Sequence, residues 1–142
     1  MRALLCVLCL AWTLAAWAHT DEYFDKHPTP HGGQVRMAGP YHLELLVGEQ
    51  DLTLYVTDHA DNRISTEGAS AKAIVTTGRK RYVVILSPAG ENMLKGEGAF
   101  KLGKSSTVTV IVTLPQSDAQ QARFTVKRKQ TPSASSKHRH RQ

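Results

Sequence analysis

The sequence predicts an all-β protein: an immunoglobulin-like antiparallel β-sandwich of about seven strands, carried behind a cleaved signal peptide. Three observations predict it. Short segments alternate apolar and polar residues with period two, turn-forming residues separate them, and no stretch keeps a helical period.

The first element is the export signal. Arg2 supplies a positive start, Ala3 to Trp17 is almost wholly apolar, and Ala16-Trp17-Ala18 is a small-x-small cleavage site. The apolar run is shorter than the roughly 20 residues a membrane-spanning helix needs. Residues 1–18 are therefore read as a signal peptide, with the mature chain starting at His19. Both cysteines, Cys6 and Cys9, fall inside it, so a thiolate metal site, a cysteine nucleophile and a disulfide are excluded from the mature chain. Cys9 follows Leu8 rather than a small residue and precedes the end of the apolar run, which excludes it as a lipid-attachment site.

Residues 19–34 carry Pro28, Pro30, Gly32 and Gly33 and read as a His- and Pro-rich extended leader, because a residue before proline is pushed out of helical geometry. Residues 35–127 form the predicted sandwich. Leu43, Leu45 and Val47 alternate with His42 and Glu44; Leu52, Leu54 and Val56 with Thr53 and Tyr55; Ala73 and Val75 with Lys72 and Ile74. Val83 and Ile85 alternate with Tyr82 and Val84, Val108, Val110 and Val112 with Thr107, Thr109 and Ile111, and Phe124 and Val126 with Arg123 and Thr125. Gly48-Glu49-Gln50, Asp58 to Arg63, Gly78-Arg79, Pro88-Ala89-Gly90 and Pro115 to Asp118 supply turns. Residues 128–142 are polar, basic and without core-forming residues, a composition that predicts disorder.

Charge is unevenly placed. The whole chain is +6, residues 35–126 are +1, the leader is −2 and residues 127–142 are +6. The high isoelectric point thus belongs to the tail. In an exported chain it points to contact with an anionic membrane surface, or to a solubilising role, rather than to nucleic acid.

Gly98-Ala99-Phe100-Lys101-Leu102-Gly103-Lys104-Ser105 matches the phosphate-binding loop pattern, which works only where a helix follows the loop. Here Thr107 to Val112 follow, a predicted strand, so the match is read as a loop between strands.

Seven histidines remain in the mature chain, three of them in the leader. Imidazole is a ligand of copper and zinc. His19 would hold both the free α-amine and an imidazole, two nitrogens for one Cu(II), with His27 or His31 completing the set. His27 and His31 flank Pro28-Thr29-Pro30, where a turn could bring them together. His42 and Glu44 share a strand face, and His59 sits in a turn between Asp58 and Asp61, which suit Asx-turn roles. Met37 and Met93 are soft candidates for Cu(I) but also ordinary packing residues. The metal candidates are His19, His27, His31, His42 and His59, for copper first and zinc second.

His31-Gly32-Gly33-Gln34, Gly39-Pro40-Tyr41-His42-Leu43-Glu44-Leu45, Leu54 to His59 and Pro88 to Gly96 together resemble a small periplasmic β-sandwich module of Gram-negative envelopes. That module occurs behind a signal peptide and in periplasmic adaptors of heavy-metal efflux pumps of the resistance-nodulation-division class. The resemblance covers about residues 31–126 and implies a periplasmic or secreted location and a link to metal handling. The hairpin and barrel parts of a full adaptor are absent. His19 at the mature terminus also makes the chain similar to periplasmic copper carriers, β-sandwiches that begin with His.

The expected function is a periplasmic metal-binding or metal-delivery protein for copper, linked to metal homeostasis or efflux. The alternative is a non-catalytic module that docks on an efflux or envelope protein through its strand edges, its histidines incidental. An enzyme is not expected: mature aromatics are few, and no Ser/His/Asp arrangement appears.

Overall fold

Alternation along each segment becomes a ladder because every segment has one apolar face to bury. The computed structural model describes residues 21–127. Residues 1–20, which hold the expected signal peptide and His19, and residues 128–142, the expected tail, lie outside the described residues.

A short helix, α1 (Asp21–Lys26), precedes eight strands: β1 (Gln34–Ala38), β2 (Tyr41–Val47), β3 (Asp51–Asp58), β4 (Ser70–Thr77), β5 (Lys80–Pro88), β6 (Met93–Glu97), β7 (Ser105–Thr113) and β8 (Gln120–Lys127). All pairings are antiparallel, in the order β1-β2-β3-β6-β5-β4-β7-β8. The two end strands, β1 and β8, lie beside each other without sharing a ladder, which makes the sheet a nearly closed barrel.

The all-β, antiparallel reading is thus what the chain adopts. The described chain has eight strands in one continuous order, against the about seven expected of a sandwich. The additional pairing has a physical origin. Gln34–Ala38 folds back on β2 through the tight turn at Gly39 and Pro40, pairing Gln34 with Leu45 and Ala38 with Tyr41. Gly39 has φ +56°, and a Cβ there would collide with the Gln120 side chain of β8, so this turn sits where the barrel nearly closes. Within the leader, Asp21–Lys26 is helical rather than extended, since the prolines that oppose a helix begin only at Pro28.

The interior is filled from both halves. Leu43, Leu45, Leu52, Leu54, Val56 and Leu94 face Val75, Val84, Leu86, Val108, Val110 and Phe124, all at most 2% exposed. Phe100, also fully buried, comes from the Gly98–Lys104 loop and anchors it to the core. That loop runs straight into β7, and no helix follows the phosphate-loop pattern.

Candidate metal centre on the histidine-bearing face

The outward positions of β2 are set by the same alternation that buries Leu43 and Leu45. Tyr55 stands across from Glu44, and Thr57 across from His42. From the other side, β1 sets Met37 opposite His42 and Val35 opposite Glu44. Two histidine clusters result, about 7 Å apart along the strand.

The first cluster is built on Glu44, which is 5% exposed. Its Oε1 accepts the backbone N–H of His31 at 2.9 Å and of Gly33 at 3.0 Å, and its Oε2 accepts Nδ1–H of His31 at 2.8 Å. An ionised carboxylate only accepts, so Nδ1 carries the proton of this bond. The His31 ring lies flat on Tyr55, with centroids 3.6 Å apart and planes 1° apart. Burial pushes the Glu44 carboxyl up. The hydrogen bonds from the His31 ring, from the Gly33 and His31 amides and from Thr29 outweigh it and hold the carboxyl below its ordinary value. Gly33 permits the approach: a Cβ there would lie 2.7 Å from the Leu45 carbonyl oxygen. Chemically this is a clamp that ties the leader to the barrel.

The second cluster is built on His42, which is 9% exposed. Asp61 Oδ1 lies 3.4 Å from its Nδ1. The His59 ring stacks on it at 4.9 Å, and Phe24 of α1 meets it edge-on at 5.0 Å. His42 Nε2 is buried and has no hydrogen-bond partner; among the described residues only Gln34 Oε1 shares that condition. The loop that presents His59 and Asp61 is held by Asp58, whose Oδ1 accepts the amides of Ala60 and Asn62 and whose Oδ2 accepts the Asn62 side-chain amide. Those bonds, the Asn62 side chain first, hold the Asp58 carboxyl below its ordinary value. Asp58 is thus the Asx-turn residue its position suggested, whereas Asp61 faces His42.

Helix α1 is fixed over this cluster by Arg36. Its Nη1 donates to Asp25 Oδ1 at 2.9 Å and to the Val35 carbonyl at 2.7 Å, Nη2 donates to Asp25 Oδ2 at 3.3 Å, and Nε lies 3.7 Å from Asp21. A charge that is 9% exposed requires such partners.

The remaining candidates are placed as follows. His27 follows α1, stacks on Tyr23 and donates its Nδ1–H to the Tyr23 carbonyl at 2.7 Å, since a carbonyl oxygen only accepts. Met93 stands opposite Tyr55. His42 and Glu44 share a face, as expected, but each is engaged by a different neighbour. Among the described residues no three His, Cys, Asp or Glu side chains converge on one ion position. Asp61, Tyr55 and Phe24 are the partners that sequence reasoning did not assign. The hairpin turn at Gly48-Glu49-Gln50 carried the one usable signal, since folding about it sets His42 across from Thr57 and near His59.

Comparison with known proteins returned no matching family model, no matching curated protein and no matching solved structure.

Proposed function

We propose that this chain is a non-catalytic periplasmic metal-binding or metal-delivery protein for copper, linked to heavy-metal homeostasis or efflux. One observation carries the reading: the buried, unpartnered Nε2 of His42, with a carboxylate at the opposite ring nitrogen. A carboxylate beside Nδ1 is the arrangement that orients a metal-binding imidazole and raises its basicity. His59, stacked alongside, and Met37, directly across the ladder, add a nitrogen and a soft thioether, donors suited to copper. Zinc is the alternative ion. The resemblance to efflux-associated envelope modules supports the compartment and the link to metals.

The leader supplies a second donor set under the same proposal: the His19 amine and imidazole, with His27 or His31. His31 has Nδ1 committed to Glu44, so it would ligate through Nε2.

Copper titration of the mature chain tests the reading, by calorimetry for Cu(II) and by chelator competition for Cu(I). His42→Ala and His59→Ala should each weaken Cu(I) binding about tenfold or more. One residue added before His19 should weaken only the N-terminal Cu(II) site. Equal affinity in the native chain and the His42→Ala/His59→Ala double variant would remove the barrel-face site, and absence of all copper binding would remove the function.

The interaction-module reading is favoured by a different observation, the end strands β1 and β8, which lie beside each other without sharing a ladder. The immunoglobulin-like reading also belongs with these proposals. It is supported by the division of the ladder into β1-β2-β3-β6 and β5-β4-β7-β8, joined through Ser87–Lys95 and Pro88–Leu94.

A further inference from the structure

We infer that the outer face of β5-β4-β7-β8 docks on anionic lipid headgroups. This goes beyond the metal reading and stands on the opposite side of the barrel from His42.

Sequence and register produce the face together. None of the four strands contains an acidic residue; every Asp or Glu that lies in secondary structure belongs to α1 or to the other four strands. Alternation turns Ala73, Val84, Val110 and Phe124 inward and leaves Lys72, Arg81, Arg123 and Lys127 outward and exposed. Among the described residues none of these four cations forms an ion pair. Between them stand Val83 and Ile85, each 64% exposed, the most exposed large apolar side chains of the described chain. In register they lie beside Ile74 and Lys72, and Ile111 is the next neighbour. The remaining outward positions are largely threonine.

Charge complementarity selects the occupant. A cationic, acid-free surface attracts anionic headgroups, and aliphatic side chains at its centre gain by entering the interface below them. Single-stranded nucleic acid would call for outward aromatics on which bases stack, and the face carries none. The chain continues from Lys127 directly into Arg128 and Lys129, which extends the same charge.

Co-sedimentation of the full mature chain with vesicles of equal parts phosphatidylglycerol and phosphatidylcholine tests this. Binding is expected to the mixed vesicles and not to phosphatidylcholine alone, and is expected to fall steeply at about 0.5 M salt. The triple variant Lys72→Gln/Arg81→Gln/Arg123→Gln should bind roughly tenfold or more weakly. Val83→Ser/Ile85→Ser should bind severalfold more weakly with an unchanged melting temperature. His42→Ala should bind vesicles like the native chain, which separates this inference from the copper proposal. Vesicle binding unchanged in both face variants would assign adhesion to the tail and overturn the inference. So would failure to bind the mixed vesicles, or capture of polyglutamate without vesicle binding, which would point to an acidic protein partner.

Discussion

Glu44 concentrates more of the local chemistry than any other residue. It is buried, and three hydrogen bonds from His31 and Gly33 converge on it. Replacing it with Ala strands two backbone donors, and a loss of about 2 kcal/mol or more in urea-unfolding stability is expected. Glu44→Gln keeps an acceptor oxygen for the amides and should cost less. Because the folded-state carboxyl is held below its ordinary value, its contribution is fully present above the unfolded value. It is lost as pH falls below the ordinary glutamate range and through the folded one. Unfolding free energy measured from pH 6 downward should therefore drop faster for the native chain than for Glu44→Gln. Gly33→Ala, which drives a methyl into the Leu45 carbonyl, should release the same clamp, seen as loss of the His31–Tyr55 ring-current shift in NMR.

At the scale of elements, α1 is too short to be stable alone and depends on docking. Arg36 grips Asp25, and Phe24 lies against His42. Arg36→Ala and Phe24→Ala should each uncover the His42 ring, read as severalfold faster carbethoxylation of the peptide that contains it. An unchanged rate would mean that α1 does not shield the ring. The strands most open to sequence reading were those with strict alternation, such as β3 and β7, where every second residue is fully buried. β1 escaped because Val35 and Arg36 are both buried, which erases period two. β6 escaped because it is five residues long and contains Gly96. The site was half legible for a related reason. Histidine and carboxylate types stand out in a sequence, but the neighbours Asp61, Tyr55 and Phe24 depend on register between strands and on how α1 docks. Neither is written in local spacing.

Across the whole molecule, stability rests on one shared interior in which Phe124 and Phe100 are the largest fully buried side chains. Phe124→Ala should cost about 3–5 kcal/mol in chemical denaturation, whereas Thr125→Ala, one position along and outward, should change stability by about 0.5 kcal/mol or less. A large effect at Thr125 would mean that the outer face of β8 is covered in the isolated protein.

The seam at Ser87 and Pro88 has a consequence for motion. Two register pairs and the Ala89 N–H to Met93 carbonyl hydrogen bond join the halves there, and Pro88 has no N–H to offer its partner Leu94. At the far side β1 and β8 touch without rungs. Fewer ladder rungs therefore brace the barrel at this seam than between neighbouring strands within either half. The hydrogen-bonded turn from Pro88 to Met93 holds β5 and β6 in register, so opening about the turn is the motion this seam permits, and relaxation dispersion should concentrate at residues 85–96.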